Sequence, residues 1–394
     1  MRPTKDRTSA PGGDLEVDGN RFTLLPGGPD RLAALHELIE RAQHRLDLYF
    51  YIFGDDDCAV EICAALTAAC RRGVAVTLLI DAFGSLGTPD SQMQELVAAG
   101  ARFGRFGQRR STRYLIRNHQ KMAIADGQRA LIGGFNIAAS YFAPEDDIEG
   151  WRDLGLRIDG PLIAELLRWF EGLAAWTLGS EQKFGALRRM VRDWRPGAGQ
   201  TMWLIGGPLP RLNHWAQRIK HDLQAGHRLD MAAAYFSPGW AMVRRLCRLA
   251  EAGSARFVMA SKSDNTATIG ASRHLYRRML RSGAEIQEYG RQKLHAKLIV
   301  IDDIAYVGSA NFDMRSLFLN VELMLRVDDP AFAAAVRAEI GAMAEYSRLI
   351  DKAAFRAMDG PFNRFRWWID YLLVGVLDFT VTRRLNFRRD LQDD

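Results

Sequence analysis

Two short stretches of the chain set an imidazole, an ammonium and a carboxylate at one fixed spacing. His119-x-Lys121-x4-Asp126 lies in NHQKMAIADG, and His295-x-Lys297-x4-Asp302 lies in LHAKLIVIDD. Apolar residues alternate between the Lys and the Asp as in a β-strand, so His and Lys, two apart, project from one face. Each stretch runs on into a turn of small residues and an asparagine: Gly133-Gly134-Phe135-Asn136 and Gly308-Ser309-Ala310-Asn311. One such motif is a weak signal. Two, each with the same continuation, are a strong one.

These residue types suit attack on a phosphodiester, an anion that repels nucleophiles until its charge is offset. Lys121 and Lys297 supply positive charge, and Asn136 and Asn311 can donate hydrogen bonds to non-bridging oxygens. A neutral imidazole can attack phosphorus, and a second, protonated one can hand its proton to the leaving alkoxide. Each imidazole needs an acceptor on its far nitrogen. Asp153 and Glu322, at matching positions of the chain, are the carboxylates expected there. Asp126 and Asp302 close the catalytic motifs, with bracing of the local loop as their favoured part. The arrangement calls for no cofactor, and no Asp/Glu cage for a metal is visible in the sequence.

The elements that would carry these groups occur twice. Ala42-Gln43-His44-Arg45-Leu46-Asp47 recurs as Ala225-Gly226-His227-Arg228-Leu229-Asp230, an offset of 183. Ala99-Gly100-Ala101-Arg102 matches Ser282-Gly283-Ala284-Glu285 at the same offset. The two motifs lie 176 apart, the asparagines 175, and the stretches beginning at Asp153 and Glu322 lie 169 apart. The order is collinear, so the chain is a duplication of a whole domain, with one His from each half. Within the first half a strand-like run gives way to a helical stretch at 60–72, an apolar run at 74–81 and a second helical stretch near 91–99. That alternation argues for α/β layers. Residues 181–200 lack a clear period and read as the connection. The expected organisation is a polar segment at 1–20, domains at 21–180 and 201–345, and a tail at 346–394.

A chain of 394 residues suits two domains, and its 48% hydrophobic and 25% charged residues exclude wholesale disorder. The net charge of +6 fits a polyanion or an anionic membrane surface. Of the 53 basic residues 45 are Arg, which suits phosphate but also follows from a GC-rich genome. Cys58, Cys63, Cys70 and Cys247 form no metal-binding pattern, and a reducing compartment fits them. No signal peptide is visible, and no apolar run is long enough to cross a bilayer. The first half carries extra residues in FGRFGQRRSTRYLIRN, 103–118, where Arg105, Arg109, Arg110, Arg113 and Arg117 interleave with Phe103, Phe106 and Tyr114. This is either a solvated loop or a lip that meets phosphate headgroups.

The paired motifs, their Gly-Gly and Gly-Ser continuations with Asn, and the duplicated layout resemble the phospholipase D superfamily over roughly residues 20–345. GGFNI with WRDLGLRIDGP, and LHAKLIVIDD…GSANFDMRSLFLNVE, resemble bacterial cardiolipin synthases, the Arg315-Ser316…Asn320-x-Glu322 run being the more specific part. The resemblance implies two phospholipase D-like α/β domains, each a mixed sheet flanked by helices, related by a pseudo-twofold axis. It implies a phosphatidyltransferase working through a phosphohistidine, with attack by His119 and acid/base work by His295. The implied substrates are phospholipids, such as phosphatidylglycerol. The active site would need no partner protein, and the implied place is the cytoplasmic face of a bacterial inner membrane. The chain departs from the many relatives that begin with two membrane-spanning helices.

The tail offers another means of attachment. PFNRFRWWIDYLLVGVLDFTVTRRLNFRR, 361–389, pairs Trp367 and Trp368 with Arg364, Arg366, Arg383, Arg384, Arg388 and Arg389. It is expected to lie in the plane of an anionic bilayer, the competing picture being a helix docked on the protein's own core. Hydrolysis to phosphatidic acid and a metal-independent nuclease remain as alternatives. Nucleic acid is the less favoured partner, because the Trp/Arg tail and the RSLFLNVE run fit lipid better.

Overall fold

A computed structural model describes residues 13–107, 116–209 and 212–377. Two eight-stranded mixed sheets form its frame. The first runs in the order Leu15–Val17, Asn20–Leu25, Gly155–Asp159, Arg129–Gly133, Met122–Ala125, Arg45–Phe50, Ala75–Asp81, Arg102–Phe106. The second runs Thr201–Gly206, Glu322–Asp328, Ile304–Gly308, Lys297–Ile301, Arg228–Ala233, Ser254–Ala260, Glu285–Tyr289, Ser347–Leu349. From Asn20–Leu25 and from Thr201–Gly206 onward, seven strands correspond one to one. In each half three neighbouring strands are parallel and the rest antiparallel. The duplicated α/β layout expected from the repeat is therefore what the chain forms.

The expected helical stretches appear as Asp57–Arg71 and Asp90–Ala98. Asp56 caps the first by accepting from the Ala59 N–H at 3.0 Å. Its Cys58 and Cys63 are buried among Ile62 and Leu66, and all four cysteines are free. The central strands carry unbroken apolar runs because helices cover both faces of each sheet. The inward faces share one core: Phe22 of the first half meets Phe332 of the second edge to face at 5.2 Å. Burial of this kind is worth about 25 cal/mol per Å² of apolar surface and holds the halves as one body.

Two expectations change here. The connection at 181–200 contains a helix, Phe184–Asp193, which buries Phe184, Leu187 and Val191. Three apolar residues at i, i+3 and i+7 among three arginines are a helical stripe too thin to stand out in the sequence. The tail also divides. Ser347–Leu349 joins the second sheet beside Glu285–Tyr289. The helix Pro361–Tyr371 packs on Thr266–Arg281, approaching so closely that a Cβ on Gly270 would stand 1.8 Å from the Asp370 carboxylate. Trp367 is buried and stacks on Phe355, and the Tyr371 hydroxyl donates to the Pro238 carbonyl at 3.1 Å. Of the two tryptophans expected at a bilayer, only Trp368 faces outward, because adjacent helical residues point about 100° apart. Arg383, Arg384, Arg388 and Arg389 lie outside the described residues, as do Arg109, Arg110, Arg113 and Tyr114.

Candidate active site

Both motif histidines sit just before a central strand, where the backbone crosses to the other half. The His119 N–H donates to the Val321 carbonyl at 2.8 Å, and the Val321 N–H donates to Arg117 at 2.9 Å. On the matching side, Lys293-Leu294 pairs in parallel with Trp151-Arg152, and the His295 N–H donates to the Arg152 carbonyl at 2.8 Å. Each imidazole is thus anchored by main chain of the opposite half.

The orienting carboxylates also cross over. His295 Nδ1 lies 2.6 Å from Asp153 Oδ2, a carboxylate of the first half. His119 Nδ1 lies 3.0 Å from the Ser309 carbonyl and 3.4 Å from Glu322 Oε2, both of the second half. Glu322 Oε2 also accepts from the Ser309 hydroxyl, and Asp153 Oδ1 accepts from the Leu154 N–H at 2.7 Å. Gly134 makes room for this pairing: a Cβ there would stand 2.6 Å from the Asp153 carboxylate. The small residues of the turn are a steric requirement of the site.

Lys121 Nζ donates to the His119 carbonyl at 2.5 Å, and Lys297 Nζ to the His295 carbonyl. The four ionisable groups and both histidines are largely withdrawn from water. Burial, with the two lysines adding to it, lowers His119 to about 4 and His295 to about 3. At these values both imidazoles are neutral near pH 7. Burial lowers Lys297 to about 8 and Lys121 well below its ordinary value. Asp153 and Glu322 are held below the usual carboxylate range, because the facing imidazoles and lysines outweigh their desolvation. Two lysines and two carboxylates thus surround the two imidazoles.

The remaining expected residues divide by position. Asn136 and Asn311 follow their strands at the same end as the histidines. Asn136 Oδ1 accepts from the Ile52 N–H at 3.0 Å, whereas Asn311 Oδ1 is buried without a donor. Asp126 and Asp302 stand at the far ends of Met122–Ala125 and Lys297–Ile301, away from the imidazoles. Asp126 accepts from the N–H groups of Gln43, His44 and Arg45, and Asp302 from those of His227 and Arg228. Both adopt left-handed φ, +53° and +50°. They brace the turn and do not reach the reacting atoms, which corrects their inclusion among the catalytic groups. The recurring AQHRLD and AGHRLD stretches are the N–H nests that receive them.

Tyr51, Tyr141 and Arg31 had no motif to announce them. The Tyr51 ring packs 4.9 Å from His119, and Tyr141 and Trp151 pack 5.1 and 5.3 Å from His295. The buried Arg31 guanidinium donates to the Asp153 carbonyl at 2.9 Å and the Tyr141 carbonyl at 2.8 Å. Its one sequence signal is a charge in register with Leu35 and Leu38 on an apolar helix face. Among the described residues no cluster of His, Cys, Asp and Glu could hold a metal ion.

The chain is similar to several known proteins. Cardiolipin synthase B of Escherichia coli K12 is 29% identical over 330 residues, 81% of this chain and 79% of that protein. Cardiolipin synthase 2 of Bacillus anthracis is 31% identical over 312 residues, 76% of this chain and 60% of that one. Among solved structures, phosphatidylserine synthase of Haemophilus influenzae superposes with a TM-score of 0.73 at 16% identity, covering 93% of this chain and 97% of the other. That likeness is one of fold. The family described as "Cardiolipin synthase, PLD-like domain" matches residues 35–174 and 219–344, one block in each half and each holding one motif. With two thirds of its length in those blocks, the chain belongs to the PLD-like cardiolipin synthase family.

Proposed function

We propose that this protein is a phosphatidyltransferase that makes cardiolipin from phosphatidylglycerol, or a related phospholipid donor, through a phosphohistidine. The observation that carries the reading is the crossed pairing, His295 with Asp153 and His119 with Glu322, between two buried lysines. Its asymmetry supports the division of labour. Donation from Nδ1 to a main-chain carbonyl fixes the neutral tautomer of His119 and leaves the Nε2 lone pair for attack. A carboxylate 2.6 Å from His295 stabilises the imidazolium that proton transfer requires.

In the first step His119 Nε2 bonds to phosphorus, the bond from phosphorus to the headgroup oxygen breaks, and His295 gives its proton to that oxygen. In the second, an acceptor hydroxyl attacks phosphorus and its proton passes to His295. The P–N bond then breaks and His119 leaves neutral. The anionic phosphodiester brings the charge that favours a proton on His295, and Lys121 and Lys297 offset the added negative charge at phosphorus.

The enzyme works at a bilayer surface in this reading. Among the described residues no helix is long and apolar enough to cross a membrane. Phe362, Phe365, Trp368 and Leu373 stand exposed on the outer side of the docked tail, beside Arg364 and Arg366. That combination supports peripheral contact with anionic lipid, and free cysteines fit the cytoplasmic side. The test is to incubate the protein with labelled phosphatidylglycerol, labelled phosphatidylethanolamine and plasmid DNA, and to resolve the products by chromatography and gel. A diphosphatidyl product is expected. Phosphatidic acid alone, or nicked DNA, contradicts the assignment.

A further inference from the structure

The alcohol that leaves in the first step and the alcohol that enters in the second use the same place. Both stand across phosphorus from His119 and exchange a proton with His295. The walls around the two histidines differ in charge. On the His119 side, Tyr51 faces Arg117 and Arg315, and the Arg117 guanidinium lies 3.9 Å above the Phe83 ring. This cationic wall suits the phosphate.

The His295 side is rich in acceptors. Beyond Tyr141, the Tyr235 hydroxyl donates to Asp264 Oδ1 at 2.6 Å, and the Ser263 hydroxyl donates to the same oxygen at 3.0 Å. Both bonds fall on Oδ1, so Oδ2 of this exposed carboxylate is open to an incoming group. Asp264 lies close enough for its charge to act on Lys297 and Tyr141. Tyr235 occupies the position that Ile52 holds in the first half. There the Ile52 N–H satisfies Asn136 Oδ1, whereas Asn311 Oδ1 is buried with no donor. The Phe312 N–H, next along the chain from Asn311, donates to the Tyr235 carbonyl at 3.2 Å. A buried acceptor left without a donor is unfavourable until a ligand donates to it.

We propose that Asp264, oriented by Tyr235, and the side-chain carbonyl of Asn311 form the subsite for the headgroup alcohol, and that its ligand is a polyol of the glycerol type. A vicinal diol brings one hydroxyl to the phosphorus and a second to the carboxylate. An ammonium headgroup would meet Asp264 but would also be repelled by Lys121 and Lys297, and a diol is not. This inference rests on the transferase reading and names the acceptor of the same site.

The experiment follows how one intermediate partitions. Wild type, Asp264→Asn and Tyr235→Phe are given a short-chain, water-soluble phosphatidyl donor with glycerol, ethanol or ethanolamine, and transfer products are counted against phosphatidic acid. Loss of a hydrogen bond to a charged group predicts a fall of about tenfold in the transfer-to-hydrolysis ratio with glycerol for Asp264→Asn. Tyr235→Phe, which removes only the orienting hydroxyl, should give a smaller fall in the same direction. With ethanol the ratio should change less than about twofold, because a single hydroxyl makes no second bond. Equal losses with glycerol and ethanol, or no change with either, would overturn the subsite. A larger loss with ethanolamine than with glycerol would overturn the choice of a polyol. If wild type transfers to no alcohol at all, the transferase reading itself fails, and the subsite with it.

Discussion

Replacing Asp153 by Asn should damage catalysis far more than replacing Glu322 by Gln, and the reason lies in how each carboxylate is already used. Asp153 Oδ1 is held by the Leu154 N–H at 2.7 Å, so an asparagine keeps its carbonyl there and turns its NH2 toward His295 Nδ1. That donor forces the imidazole proton onto Nε2. The ring then cannot take a proton from the acceptor alcohol, and no carboxylate stabilises its charged form. General acid–base catalysis is worth about 10²–10⁴ in rate, so Asp153→Asn should lose about 10³-fold with a natural headgroup, roughly 4 kcal/mol. His119 already has the Ser309 carbonyl at 3.0 Å, nearer than Glu322 at 3.4 Å. A glutamine can keep its carbonyl on the Ser309 hydroxyl, with its NH2 in place of the unpaired Oε1. Its loss should be about 10–100-fold, the range for weakening one charge-assisted contact. A p-nitrophenyl phosphodiester separates the two, because that leaving group needs no proton. Stopped-flow absorbance should show a full burst of p-nitrophenolate from Asp153→Asn followed by slow turnover. Glu322→Gln should lose burst rate and headgroup turnover in equal proportion. Loss of the burst in Asp153→Asn, with its retention in Glu322→Gln, would refute the roles given to the two histidines.

Three further outcomes are expected. Turnover should survive excess EDTA, since Lys121 and Lys297 supply the charge that a metal would otherwise bring; loss on chelation with recovery on Mg²⁺ or Zn²⁺ would contradict this. Because burial lowers His119 from 6.5 to about 4, the unfolded chain binds a proton that the folded chain refuses between those values. Stability should therefore fall as pH drops from 6.5 toward 4, by up to about 1.4 kcal/mol per pH unit from this group. The slope of Tm against pH should be shallower in His119→Asn, and an unchanged slope would count against the buried neutral imidazole. In the tail, Trp367→Ala should cost about 3–5 kcal/mol of stability, as for other buried aromatics. Phe365→Ser with Trp368→Ser should leave Tm nearly unchanged and weaken binding to anionic vesicles in a sedimentation assay. The opposite pattern would mean that the docked and outward faces had been assigned wrongly.

The site was legible in the sequence wherever a residue type and its repeat coincided. His119, Lys121, His295 and Lys297 stood out because each occurs twice at one spacing. Asp153 and Glu322 followed from matching positions, but not which histidine each would serve. That depends on the Arg117–Val321 and Trp151–Lys293 crossings, contacts between segments more than 140 residues apart. Arg31 was hidden because its role is set by where one helix packs, not by any motif. Asp126 and Asp302 were conspicuous for a structural reason, since a left-handed residue that caps two or three N–H groups is as constrained as a catalytic one. Trp367 and Trp368 read as an equivalent pair, and only the line of contact with Thr266–Arg281 separates the buried ring from the exposed one.

The covalent intermediate is the central claim, and its location is the most direct measurement of it. Protein mixed with a labelled short-chain phosphatidyl donor should be quenched in alkali, where phosphohistidine persists, digested, and mapped by mass spectrometry. The account predicts a phosphatidyl adduct on the peptide carrying His119, present in wild type, accumulating in His295→Asn and absent from His119→Asn. An adduct on His295, or none in a wild-type sample that is turning over, would contradict it.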